Sequence, residues 1–284
     1  AKLMADISLG GYSVTISSYT GTFDGNGHYI TDFFGSKSLF QQPFSGAVIK
    51  NLGVSGTIKG DTGWYNPQSG IVFRMYGSNY DISIENCVSR VNVTGEGPVG
   101  GIVGMAESGS GNSMPRIINC YNTGTVTSTN GIGYPGGIGG INDSNPIQHV
   151  ENCYNIGDVA GSKGYGIERT GRGTNRNNYT LLGSAANAGG TALTSDAMKD
   201  IASSLGDAFM DNPTNYNDGY PILKWEEPRA RAVLQEDRIA ELIAYEDGEF
   251  FTEIALEKLE KAIEDGKKAI MEAGSFAEVE EALE

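Results

Sequence analysis

I-I-N-C-Y-N-T-G-T-V, residues 117–126, is one of four related decapeptides whose spacing decides how the fold is read. The others are I-K-N-L-G-V-S-G-T-I from Ile49, I-E-N-C-V-S-R-V-N-V from Ile84 and V-E-N-C-Y-N-I-G-D-V from Val150. Their shared asparagines, Asn51, Asn86, Asn119 and Asn152, step by 35, 33 and 33 residues. A period in this range belongs to repeat architectures, in which each unit buries its apolar face only against its neighbours.

Within a copy, position 1 is apolar (Ile49, Ile84, Ile117, Val150), position 4 is Leu52 or cysteine, and position 10 is Ile58, Val93, Val126 or Val159. Positions 4 to 10 keep the period of two that a strand requires. Positions 1 and 4 differ by an odd number, so the chain must turn between them, at the asparagine. Asparagine tolerates the left-handed conformation that other Cβ-bearing residues avoid. Stacked one strand spacing apart, about 4.8 Å, its amide can donate to the next asparagine. This reading makes the column a structural ladder rather than a catalytic set.

After each Val- or Ile-ending strand comes a variable loop and then a Gly-Ile pair: Gly70-Ile71, Gly101-Ile102, Gly137-Ile138 and Gly166-Ile167. Three short strands per repeat are expected, with Val, Ile and Thr favouring strand over helix. The expected fold is therefore mainly β, a right-handed parallel β-helix (solenoid), the hand following the general preference of parallel connections. A helix is expected from Thr194 as N-cap to about Asp211, with Met198, Ile201, Leu205 and Phe209 on one face. The segment N-D-G-Y-P-I-L-K-W (217–225) is expected to cap the C-terminal edge, since an open sheet edge invites aggregation.

The 284 residues carry a net charge of −15, which disfavours nucleic acid as a partner. The charge is uneven: residues 1–225 hold 13 basic and 17 acidic side chains, residues 226–284 hold 7 and 18. Two domains are expected, 1–226 and an acidic α-helical segment at 227–284. No run reaches the roughly 20 apolar residues that span a bilayer, and A-K-L-M-A-D is no signal peptide; the sequence starts inside a pattern and stops inside an expected helix, so it reads as a piece of a longer chain.

Cys87, Cys120 and Cys153 are the only cysteines and share one repeat column. They read first as a ladder of buried free thiols. A disulfide is the second alternative, disfavoured because side chains stacked on parallel strands point the same way. A metal site is the third, and it lacks a histidine at ligand spacing. No cofactor motif is present.

G-T-F-D-G-N-G-H-Y-I (21–30), the I/V-x-N-C-Y-N-x-G-x-V copies, the G-G-I-V-G and G-G-I-G-G blocks (100–104, 136–140) and G-Y-P-I-L-K-W together resemble the GLUG-motif β-helix modules of bacterial surface proteins. The resemblance covers about residues 20–225. It implies an exported, adhesin-like or protease-associated context and brings no shared catalytic residues. Residues 229–284 differ. Leu234, Ile239, Leu242 and Ile243 form one helical stripe, a second helix is expected over about 252–273, and Ser275-Phe276-Ala277-Glu278 fits a capping box opening a third. This part loosely resembles the three-helix FIVAR-type spacers of cell-surface proteins, a hairpin or partial bundle.

The functional expectation is a non-catalytic segment of a secreted or cell-surface (extracellular) bacterial protein. It would bind a host or cell-wall glycan, or a protein, between the flanking modules of its parent chain, without membrane insertion. The candidate ligand-binding residues are loop aromatics beside polar groups: Trp64, Tyr65, Tyr76, Tyr80, Tyr134 and Tyr165. Two alternatives stand beside it. One is a polysaccharide-active lyase or hydrolase, for which Glu85 and Glu151 share a column but Ile118 separates them. The other is a purely structural stalk.

Overall fold

The structure, a computed structural model, describes residues 1–44, 46–60, 66–77, 81–108, 115–130, 133–141, 149–169, 174–244 and 253–283. Two compact units divide the chain, Ala1–Phe209 and Met210–Glu284.

In the first unit the repeat is realised as parallel pairing in register. Ile49 faces Ile84, Ile84 faces Ile117 and Ile117 faces Val150; further on, Ile58 faces Val93, Val93 faces Val126 and Val126 faces Val159. Residues one period apart are therefore neighbours. With the Gly-Ile isoleucines, Ile71, Ile102, Ile138 and Ile167, these columns line a single buried core. Each such Ile or Val contributes about 1.5–3 kcal/mol by leaving water.

The expected right-handed parallel β-helix is corrected. Fourteen of the described strands form one parallel sheet curled into a half-barrel, accompanied by smaller sheets and a few helices, rather than a clear right-handed solenoid. Two long strands, Thr22–Gly35 and Val48–Lys59, are the cause. Val48–Lys59 runs unbroken through the asparagine position. Its first part pairs with Ser83–Glu85 and its second with Val88–Gly95, so both arms belong to one sheet. A separate four-stranded parallel sheet, Ile16–Tyr19, Phe40–Pro43, Val72–Gly77 and Val103–Ser108, contributes to the same core. Beyond it the pairing continues as isolated bridges such as Val103 to Gly139, where glycines replace strand formers.

The helix expected over 194–211 is two short ones, α1 (Ser195–Lys199) and α2 (Ala202–Leu205). Thr194 caps α1, its hydroxyl accepting from the Ala197 amide at 3.4 Å. Gly206, at φ 93°, ends α2 and turns the chain into extended structure at Phe209. Met198 and Leu205 are fully buried, as the apolar stripe requires.

The second unit begins ahead of the expected boundary at 226/227, and residues 210–226 belong to it. Buried Glu226 is the reason: its carboxylate accepts from the Leu223 amide (3.1 Å) and the Tyr216 hydroxyl (3.0 Å), tying the aromatic segment to the helix that follows. That helix, α3 (Glu227–Ile243), packs with α4 (Glu253–Glu272) and α5 (Phe276–Glu281) around Leu234, Ile270, Ala273 and Val279. Ser275 caps α5, accepting from the Glu278 amide, while Glu278 accepts from the Gly274 amide at 2.6 Å. Arg238 grips Glu280 through two nitrogens (2.9 and 2.7 Å), which raises the arginine and lowers the glutamate from their ordinary values.

Candidate functional site

The sequence columns resolve first into structure. Asn51, Asn86, Asn119 and Asn152 all stand at φ 52–54°. Each donates its side-chain amide to the carbonyl oxygen of the copy before: Asn86 to Asn51 (3.1 Å), Asn119 to Asn86 (3.0 Å) and Asn152 to Asn119 (3.0 Å). Asp24 closes one end, accepting from Asn51 at 3.0 Å, and Asn177 extends the other, donating to Asn152 at 3.1 Å. These hydrogen bonds occupy the asparagine side chains along the ladder.

The three cysteines are free and buried. The Cys87 amide donates to the Cys120 sulfur and the Cys120 amide to the Cys153 sulfur, each at 3.4 Å, and Asn178 ends the column by accepting from the Cys153 amide at 2.9 Å. Burial pushes the Cys87 and Cys120 thiols well above their usual range. A buried, protonated thiol is a poor nucleophile.

A second ladder escaped the sequence reading. Asn122 Nδ2 donates to Asn155 Oδ1 at 2.8 Å, both side chains fully buried. Two of the Gly-Ile glycines, Gly101 and Gly137, make room for them. A Cβ on Gly101 would lie 2.4 Å from Asn122 Cγ, and one on Gly137 2.2 Å from Asn155 Cγ and 2.1 Å from the Gly166 oxygen. The signal was present as Y-N in two copies. Tyr121 and Tyr154, one position earlier, stack at 4.7 Å with a 5° interplanar angle and are fully buried.

Of the six candidate aromatics, Trp64, Tyr65 and Tyr80 lie outside the described residues. Tyr76 is described only in its backbone, in Val72–Gly77 opposite Glu107. Tyr134 and Tyr165 are brought together, centroids 6.1 Å apart at 62°. Two cations not singled out from the sequence join them: Arg169 lies 4.2 Å and Lys163 4.8 Å from the Tyr134 ring centroid. Tyr134, Tyr165 and Arg169 are half-buried and Lys163 is exposed. The pattern K-G-Y-G-I-E-R (163–169) carried this signal, two cations flanking an aromatic.

The acid–base candidates are dispersed. Glu85 and Glu151 are both paired in register with Ile118, one on each side, and Glu151 is committed to Arg176 at 2.5 Å. His28 meets Asp6 at 3.2 Å, and His149 Nδ1 accepts from the Thr174 amide at 3.2 Å. Among the described residues no group of three His, Cys, Asp or Glu side chains is placed to hold a metal ion. No described helix is long and apolar enough to cross a membrane.

No family model and no curated protein matches the chain. A solved structure does. It is a putative immunoglobulin A1 protease from Bacteroides ovatus, 20% identical, with a TM-score of 0.51, over 79% of this chain and 85% of that one. At this identity the likeness concerns the fold alone. It does not bear on the GLUG or FIVAR resemblance.

Proposed function

We propose that this chain is a non-catalytic binding segment of a secreted or cell-surface bacterial protein, recognising a glycan through loop side chains. One observation carries the reading: Tyr134 and Tyr165, from loops one repeat apart, meet edge-to-face beside two cations. Aromatic faces beside hydrogen-bonding and charged groups suit saccharide recognition, since a ring packs on the C–H face of a sugar while polar groups meet its hydroxyls. The resemblance of the repeat to modules of bacterial surface proteins supports the extracellular placing. The protease name belongs to the Bacteroides ovatus protein. Here the thiols are buried, and the two described histidine contacts lead to a carboxylate and a backbone amide rather than to a nucleophile.

The test is a glycan array probed with the whole chain and with Tyr134→Ala and Tyr165→Ala, each checked for an unchanged melting temperature. Binding lost in both variants is expected. Binding that survives both removes this site, and an empty array returns the chain to the stalk reading.

A further inference from the structure

We infer that Tyr134, Lys163, Tyr165 and Arg169 form a subsite for a sugar bearing a carboxylate, of uronate or sialate type. The inference rests on the glycan-binding reading and adds the charge class of the ligand.

Three observations carry it. The first is charge. The chain has 35 acidic and 20 basic side chains, yet no described carboxylate pairs with Lys163 or Arg169. Three other described arginines do meet carboxylates, Arg176 on Glu151, Arg231 on Glu227 and Arg238 on Glu241 and Glu280. Two cations over one ring, in a protein of net charge −15, are a local excess of positive charge among the described residues. The nearest carboxyl in sequence, Glu168, does not cancel it. That side chain is buried, its Oε2 has no partner, and burial pushes the group well above the ordinary carboxylate range towards its neutral form.

The second is the backbone. Tyr134 and Ile141 exchange amide–carbonyl hydrogen bonds in both directions (2.7 and 3.0 Å). The Tyr165 amide donates to the Pro135 oxygen (2.8 Å), and the Tyr165 oxygen accepts from the Gly137 amide (3.0 Å). The main chain of both tyrosines is thus used up, and an extended peptide has no strand edge to join at these residues. Recognition falls to side chains, which favours a saccharide over an acidic peptide.

The third is geometry. The guanidinium presents a planar fork of donors that matches a carboxylate through two parallel bonds, and an exposed lysine adds a movable second charge. The tyrosines stand edge to face at 62° rather than stacked flat like Tyr121 and Tyr154, and both cations gather at the Tyr134 ring.

The experiment is isothermal titration of the whole chain with tetragalacturonate and sialyllactose, against galactotetraose and lactose as neutral counterparts and tetraglutamate as the peptide alternative. At least one carboxylate sugar should bind, its neutral counterpart should bind more weakly, and affinity should fall as salt rises. Lys163→Ala and Arg169→Ala should each weaken binding about two- to fivefold, the range for a partly exposed ion pair. Both side chains reach solvent, so the fold should survive, as an unchanged melting temperature would verify. Neutral sugars bound as tightly, or cation variants without effect, would overturn the charge inference while leaving glycan binding intact. Tetraglutamate bound in preference would overturn the saccharide assignment of this cluster. No sugar bound at all would overturn the glycan reading itself.

Discussion

Replacing Asn119 isolates what the asparagine ladder contributes. This residue sits mid-column at φ 53°, donating to Asn86 and accepting from Asn152, both at 3.0 Å. Asn119→Gly keeps the left-handed backbone accessible and removes both side-chain bonds. At about 0.5–1.5 kcal/mol each, the expected loss is about 1–3 kcal/mol. Asn119→Ala removes the same bonds and forces a Cβ into the left-handed region. It should cost about 1 kcal/mol more, once glycine's greater chain entropy is set against the strain. Asn177, at the exposed end with a single ladder bond to Asn152, should lose only about 0.5–1.5 kcal/mol on change to Gly. Urea unfolding of the three variants against the parent gives these differences directly. Equal losses at positions 119 and 177, or an Ala variant at 119 no worse than the Gly variant, would refute the assignment of a bonded ladder held in left-handed turns.

Gly137→Ala should cost about 3 kcal/mol or more by thermal unfolding, because the added Cβ meets Gly166 backbone at 2.1 Å and a buried asparagine at 2.2 Å, with no flexible group to yield. Glu168 sets a pH dependence. Its carboxyl is raised in the folded state, so the unfolded chain ionises first. Its contribution is fully present below the unfolded value, near 4.3, and is lost as pH rises towards the folded value, at up to about 1.4 kcal/mol per pH unit. Glu168→Gln should flatten that slope in urea titrations between pH 4 and 8, and a slope identical to the parent's would count against the buried acid. The three thiols should resist a thiol reagent in the folded protein and react fully in urea, since all are buried; rapid labelling without denaturant would contradict their placement.

Much of the first unit was legible because its columns repeat. Asn51 to Asn152 needed a left-handed corner, the parity break between positions 1 and 4 located it, and the cysteines behind it fell into line. The curled half-barrel sheet, in place of a β-helix, was not legible. Whether the chain breaks into separate faces depends on strand continuity through the corner, and I-K-N-L-G-V-S-G-T-I reads locally like the broken copies although Val48–Lys59 runs through unbroken. The helix over 194–211 was too long a reading: it breaks at Asp200–Ile201, and the positive-φ glycine at 206 ends the second piece. The candidate site was half legible. Tyr134 and Tyr165 stood out as loop aromatics, whereas Lys163 and Arg169 did not, since a lone cation in a loop is ordinarily a solvated one. Only their convergence on one ring gives them meaning.

The whole account depends on residues one period apart lying side by side. Scalar couplings transmitted through hydrogen bonds, measured by NMR on deuterated protein, read that adjacency directly. The side-chain amide of Asn86 should correlate with the side-chain carbonyl carbon of Asn51, Asn119 with Asn86, Asn152 with Asn119 and Asn177 with Asn152. Correlations from these amides to any other acceptors would contradict the register and, with it, the meeting of Tyr134 and Tyr165.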